Sequence, residues 1–337
     1  MMEPLLEVSN LTVDYILSKR RLRALRRVNF SLERGEVMGV AGESGCGKST
    51  LGLAVIRLLP KIADVRRGEI LFEGRDLLKL NNTQMDQEIR GQKISMIFQN
   101  PQNALNPVFT VGRQIKDVLY YQSRYHGRPP VPSELKRLVV EKLRETGIAA
   151  PEERLSNYPF EFSGGMKQRV MIAMALSSQT SLLVADEPTT ALDVTIEAQI
   201  LELIKNLTRR YGTSILYISH DLGVLSEIST RLMIMYAGSI FELGPTEAVL
   251  DQPRHPYSAA LLESLPGKHE QSSRLLSIPG QVPALDQLPI GCTFHPRCPF
   301  AEDQCMEKDP PLIEVTPNHW SACLLDQQRG RRKWTWT

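Results

Sequence analysis

The sequence predicts an α/β fold built on a parallel sheet, with an antiparallel β portion at its start and a helical insertion in its middle. Three observations predict it. Leu182-Leu183-Val184-Ala185 and Ile215-Leu216-Tyr217-Ile218 are near-continuous apolar runs, the pattern of strands buried on both faces. Between them Ile196, Ile200, Leu203, Ile204 and Leu207 recur at helical spacing, and Gly212 closes that pattern. A third apolar run, Val37 to Ala41, enters a glycine cluster and then a helical stretch from Lys48 to Leu59.

The remaining elements follow from the same periodicities. Leu6 and Val8, then Leu11, Val13 and Tyr15, alternate with polar residues, as do Val28, Phe30 and Leu32 before a turn at Arg34-Gly35. Ile70 to Phe72 and Ile94 to Phe98 are further strands, and residues ~105–180 read as mostly helical. Leu232 to Tyr236, a turn at Ala237-Gly238, and Ile240 to Leu243 read as a hairpin. No internal repeat is visible.

A chain of 337 residues suggests about two domains. Twelve of the 22 prolines lie from Pro245 onward, and four of the five cysteines, Cys292, Cys298, Cys305 and Cys323, also fall there. The composition therefore breaks near residues 245–255. The expected domains are 1–250, carrying the helical insertion, and a Pro/Cys-rich extension, 251–337.

A net charge of +2 offers no electrostatic footing for nucleic acid. The longest apolar run, Val170 to Leu176, is far shorter than the ~20 residues that span a bilayer. The N-terminal Met1-Met2-Glu3-Pro4-Leu5-Leu6-Glu7 lacks the basic start and apolar core of a secretory signal. These features predict a soluble intracellular chain.

Gly42-Glu43-Ser44-Gly45-Cys46-Gly47-Lys48-Ser49, followed by Thr50, matches G-x-x-x-x-G-K-[ST] between a strand and a helix. Its glycines let backbone N–H groups curl around phosphate, and the helix N-terminus adds partial positive charge. Lys48 is expected to reach the β and γ phosphates and Ser49 to bind Mg²⁺. Asp186 and Glu187 end a buried strand, which suits a Walker B element: Asp186 for the Mg²⁺ shell, Glu187 to polarise the attacking water. This is the pattern of a P-loop nucleotide hydrolase. Cys46, at the helix N-terminus, reads as a small filler of the loop, whose chemistry uses the backbone; a thiol pKa lowered by the helix terminus, with alkylation blocking hydrolysis and ATP protecting, is the alternative.

Phe162-Ser163-Gly164-Gly165-Met166-Lys167-Gln168-Arg169 resembles the LSGGQ-type signature of ABC transporter ATPases. Gln99 resembles the Q-loop glutamine, Ala191-Leu192-Asp193 the D-loop, and His220 the switch histidine. Tyr15 sits where the family stacks an aromatic on adenine. The resemblance covers residues ~5–250. It implies two facing subunits, with each ATP between the P-loop of one and Ser163 and Gly165 of the other. It also implies that His220 contacts the γ-phosphate and that Gln99 touches Mg²⁺.

Phe98 to Gly112 is similar to the segment of peptide-importer ATPases that grips membrane subunits. Met166 stands where many members have Gln, a variant similar to one of the two non-identical ATPases of dipeptide/oligopeptide importers. The implied partners are a homologous second ATPase subunit, two transmembrane permeases and, indirectly, an extracytoplasmic solute-binding protein. The implied location is the cytoplasmic face of the cell membrane. A soluble ABC ATPase of DNA repair or translation would carry paired cassettes or a long coiled-coil insertion, and neither is found. A P-loop kinase leaves FSGGMKQR without a role.

The four clustered cysteines have the spacing C-x5-C-x6-C-x17-C. Disulfides do not suit a chain that draws on cytosolic ATP. The tight C-x2–4-C knuckle usual in structural zinc sites is absent, and four thiolates also suit a [4Fe–4S] cluster. Spacing alone leaves zinc and iron–sulfur open. His255-Pro256-Tyr257, Pro279-Gly280 and Gly291-Cys292-Thr293-Phe294-His295-Pro296-Arg297-Cys298-Pro299 resemble the C-terminal extension of peptide-importer ATPases, which implies a [4Fe–4S] cluster. His295 and His319 read as packing or surface residues. The basic, aromatic stretch Arg329 to Trp336 reads as a frayed, solvated tail.

Overall fold

The computed structural model describes residues 3–18, 20–100, 104–125, 127, 131–177, 180–190, 192–264, 278–330 and 334. Pro101, Gln102 and Asn103 of the permease-gripping segment, Ala191 of the D-loop, and Arg331–Lys333 with Thr335 and Trp336 of the tail lie outside the described residues. In chain order the strands are β1 (Leu6–Leu17), β2 (Arg20–Leu32), β3 (Val37–Ala41), β4 (Ala63–Phe72), β5 (Arg75–Asp76), β6 (Ile94–Ile97), β7 (Leu182–Asp186), β8 (Ser214–Ile218), β9 (Arg231–Tyr236), β10 (Ser239–Pro245), β11 (Ile313–Thr316) and β12 (His319–Ser321). The chain divides into two compact units, residues 1–78 with 218–337 and residues 79–217.

In the first unit, β1 pairs antiparallel with β2 (Leu6 opposite Leu32) and with β4 (Leu6 opposite Phe72). Leu6, Val8, Leu11 and Val13 are fully or almost fully buried, which is why alternation revealed β1. The register slips between Val8 and Leu11, so the alternation is bent there. β4 begins at Ala63, well before Ile70. Only its last residues are buried, so Arg66-Arg67-Gly68 hid its start from a hydrophobic pattern.

β3 pairs parallel with β9, and β9 turns into β10 as the expected hairpin. β12 then adds to β10 (Glu242 opposite Ser321), and β11 adds to β12. The extension thus contributes two strands to the sheet that carries β3, and neither was readable from periodicity. Buried charges fix this junction. The Glu242 carboxylate accepts the N–H groups of Arg254 (2.7 Å) and His255 (3.0 Å) and lies 2.7 Å from His319 Nε2. Arg254 pairs with Asp326 at 3.1 Å. Breaking such a buried set leaves uncompensated charge, at a typical cost of ~3–5 kcal/mol.

The helix after β3 spans Lys48–Val55 and stops short of Leu59, because Arg57 takes a left-handed φ of 54° ahead of Pro60. At the far end, Trp334 is 6% exposed and packs on Phe300 with ring centroids 5.1 Å apart. That corrects the expectation of a frayed tail at this residue: a large apolar ring found a covered seat.

In the second unit, β6 and β7 run parallel, Ile94 opposite Leu182 through Ile97 opposite Ala185. β8 lies on the other side of β7. The helical insertion comprises Val111–Tyr125, Pro132–Glu145, Pro151–Arg154 and Gly164–Leu176. The helix Val194–Tyr211 ends on Gly212, whose left-handed φ of 65° suits a residue without a Cβ. Among the described residues, no helix is long and apolar enough to cross a membrane.

Candidate functional site

The first unit holds the phosphate loop. At Gly42 (φ 148°) a Cβ would fall 2.2 Å from the Met235 carbonyl oxygen, and at Gly47 (φ 105°) 2.7 Å from that of Ala24. Glycine is therefore required at both positions by backbone contact as well as by φ. Gly47 caps Lys48–Val55 with no side-chain hydrogen bond, so the helix N–H groups are left to the loop. Lys48 is only 6% exposed, and its Nζ donates to the carbonyls of Gly42 (2.7 Å) and Glu43 (3.1 Å). Ser44, Gly45 and Ser49 are exposed along the rim, and Thr50 is half-buried with its hydroxyl 3.1 Å from that of Tyr15. Ser219 N–H donates to the Val40 carbonyl at 3.1 Å, which pins the residue before His220 to the P-loop strand. Asp221 then caps the next helix: its N–H donates to Ser219 Oγ at 3.0 Å and its Oδ1 accepts the N–H of Gly223 at 2.7 Å.

Cys46 differs from expectation. It is fully buried, and burial pushes its thiol pKa up despite Lys48 nearby. The helix terminus cannot lower a pKa when desolvation of the thiolate is the larger effect. The expectation of a lowered Cys46 pKa is therefore corrected, while its full burial agrees with a small filler of the loop.

The second unit holds the carboxylates. Asp186 ends β7 and is 5% exposed. Glu187, one residue on, has a left-handed φ of 45°, which turns it off the strand line. Its Oε2 accepts Gln99 Nε2 and Thr190 Oγ1, each at 2.8 Å. The parallel register of β6 and β7 produces this meeting, because both chains leave the sheet at the same end. Ser163 caps the helix Gly164–Leu176 by accepting the Met166 N–H at 3.3 Å, with Gly165 in its first turn. Asp193 caps Val194–Tyr211, accepting the Ile196 N–H at 2.9 Å.

Thr190, Tyr257 and Arg297 were missed by sequence reasoning. Glu43 donates its N–H to the Tyr257 hydroxyl (2.9 Å), and its carboxylate takes a two-pronged bond from Arg297. The extension therefore touches the phosphate loop. No local pattern could signal contacts between residues 214 and 254 positions apart.

Cys292, Cys298, Cys305 and Cys323 line one small cavity of about 20 Å³, together with His255 and His295. None is in a disulfide. Among the described residues, however, no three His, Cys, Asp or Glu side chains stand in an arrangement that could hold a metal ion. The four thiols are gathered around one cavity without forming a ligand set among the described residues. Without a metal, burial pushes Cys292 and Cys298 up to about 12 and Cys323 up to about 11. His255 is fully buried and pushed down to about 3, and its Nδ1 accepts the Tyr257 N–H at 3.0 Å.

Comparison with known proteins agrees with this geometry. The ABC transporter family matches residues 25–190, and the oligopeptide/dipeptide transporter C-terminal region matches residues 241–305. A probable peptide ABC transporter ATP-binding protein, y4tR of Sinorhizobium fredii, is 49% identical over 95% of this chain and 94% of its own. The oligopeptide transport ATP-binding protein OppD of Bacillus subtilis is 44% identical over 95% of this chain and 88% of its own. The ATP-binding cassette MJ0796, solved as a dimer in a post-hydrolysis state with ADP and Pi, superposes with a TM-score of 0.64 at 25% identity, covering 72% of this chain and 98% of that one. The chain belongs to the ABC transporter ATPases, in the oligopeptide/dipeptide branch, and is an ATP-binding, ATP-hydrolysing subunit of that family.

Proposed function

We propose that the chain hydrolyses ATP to drive peptide import through separate permease subunits at the cytoplasmic face of the membrane. The loop Gly42–Thr50 binds the phosphates through its backbone, and Lys48 leaves its carbonyls for the β and γ phosphates. Tyr15 stacks on adenine, and His220 contacts the γ-phosphate. Ser49, Asp186 and Gln99 each offer a side-chain oxygen of the kind Mg²⁺ takes, and would serve as its ligands. Held there, Mg²⁺ would supply charge neutralisation for the phosphoryl group being transferred. Glu187 takes a proton from the attacking water, its carboxylate already oriented by Gln99 and Thr190. Ser163, Gly165 and Asp193 serve the nucleotide held by a homologous partner subunit, with Met166 favouring a non-identical pair. Phe98 and Val108, 41% and 69% exposed, offer apolar contact to permeases. The cassette ends near residue 250 and the extension takes 251–337.

The observation that carries this reading is Lys48 seated at the mouth of an uncapped helix. Glu187→Gln is expected to lower ATP turnover by ~10²–10⁴-fold, with MgATP binding retained and peptide uptake into permease-containing vesicles lost. Unchanged hydrolysis by that variant would remove Glu187 from the mechanism.

We also propose that the four extension cysteines hold a [4Fe–4S] cluster. Their four sulfurs line one cavity, and four thiolates are the donor set such a cluster takes. One observation favours zinc as a second reading: the cavity has room for about one water-sized body. Anaerobically purified chain is expected to be brown, with iron and acid-labile sulfide. A colourless chain with one zinc would establish the second reading.

A further inference from the structure

Glu43 is the single acidic residue of the phosphate loop, and it is held from both sides by the C-terminal extension. Its N–H donates to the Tyr257 hydroxyl at 2.9 Å. Arg297 Nη1 donates to its Oε2 at 2.6 Å and Nη2 to its Oε1 at 3.0 Å. The rest of the guanidinium is also engaged: Nε on the Pro279 carbonyl at 2.8 Å, Nη1 on the Tyr236 hydroxyl at 3.3 Å, and Nη2 on the Ile278 carbonyl at 3.4 Å. All five donors of the fork are therefore used. Arg297 is 8% exposed, so it is not poised to swing onto a phosphate.

The segment it grips is the one that seats Lys48, whose Nζ rests on the carbonyls of Gly42 and Glu43. A two-pronged guanidinium–carboxylate pair fixes orientation as well as charge. It also cancels a negative charge beside the place where the nucleotide's phosphates must sit. Unpaired, that carboxylate would repel a polyanion across a partly desolvated gap.

We propose that Arg297 is a positioning residue for nucleotide binding: by holding Glu43 it keeps the phosphate loop curled and electrically open to ATP. The C-terminal extension is thereby a working part of the nucleotide site. The proposal rests on the reading of Gly42–Thr50 as that site. Arg297 acts through Glu43 and touches no reacting atom. It immediately precedes Cys298, so one short turn, His295–Arg297, leads from the loop latch into the cysteine cavity.

The test is a set of four full-length chains, the wild type, Arg297→Ala, Glu43→Gln and the double variant, titrated with MgATP and assayed for hydrolysis. Arg297→Ala is expected to weaken MgATP binding by roughly tenfold and to raise KM in step, with kcat changed by less than about twofold. Glu43→Gln in the same chain is expected to restore affinity to within about threefold of wild type, since it removes the charge Arg297 was holding. A purely structural role for Arg297 would not permit that rescue. The proposal is overturned if Arg297→Ala binds MgATP as wild type does, or if the double variant is as weak as Arg297→Ala alone. Should Arg297→Ala not fold, Arg297→Lys keeps the charge without the fork; an affinity equal to wild type would overturn the positioning role, and a loss relieved by Glu43→Gln would support it. Failure of the wild-type chain to bind MgATP would instead overturn the nucleotide-site reading itself.

Discussion

The phosphate loop and the cysteine cavity lie in the same compact unit, yet they stand at opposite degrees of readiness. The loop is complete as the chain folds: glycines at Gly42 and Gly47 admit close backbone contact, the helix terminus is open, and Lys48 is already seated. The cavity has gathered its four thiols without setting them to ligate. The difference lies in what each site is made of. Backbone amides are neutral dipoles that cost little to aim together. Burial disfavours the thiolates of Cys292, Cys298 and Cys323, so drawing them into a ligand set would need a cation to supply the opposing charge.

The comparison breaks most severely at the loop if backbone contact is not what shapes it. Gly42→Ala puts a Cβ against the Met235 carbonyl and is expected to destabilise the unit by about 2–6 kcal/mol. MgATP binding should be lost even at temperatures where the fold survives. Wild-type melting and affinity in that variant would show that the loop can relax.

At the cavity, the comparison is sharpened by pH. The ordinary thiol value is 9.0, and in the folded metal-free chain Cys292 and Cys298 rise to about 12 and Cys323 to about 11. Above pH 9 the unfolded chain sheds protons that the folded chain keeps, so stability present below pH 9 falls as pH climbs towards 12. Each thiol contributes on the order of 1.4 kcal/mol per pH unit in its window. Denaturant melts of metal-free chain should show that decline, whereas metal-loaded chain, its thiolates already formed, should not. Equal alkaline profiles would mean that the cavity does not hold the metal.

The smallest effect is expected at Cys46. Its buried, raised thiol should resist iodoacetamide near neutral pH in native chain, while half-buried Cys298 labels first in metal-free protein. Peptide mapping would decide it, and rapid labelling of Cys46 would show that the loop opens readily.

How much was legible follows from the same contrast. The loop and the signature could be read because their chemistry needs particular residues at consecutive positions. The core strands could be read because both faces are buried: every residue of β7 and β8 is covered. β4 was half-hidden, since Arg66 and Arg67 face outward. The Cys46 pKa was misjudged because its place at a helix terminus was visible in the sequence and its burial was not. Tyr257 and Arg297 lay beyond reach, because their partner sits at the other end of the chain and no periodicity joins them.

That separation has a consequence for how the protein is made. Glu43 and Arg297 are 254 residues apart. At synthesis rates of ~5–20 residues per second, the phosphate loop emerges roughly 13–50 s before the side chain that holds it. The cassette can assemble its strands during that interval while Glu43 still presents an unneutralised carboxylate. A chain interrupted before residue 297 would keep the loop sequence yet lack the grip that opens it to ATP. If Arg297 opens the loop to ATP as proposed, high-affinity nucleotide binding is expected only of molecules that extend past residue 297.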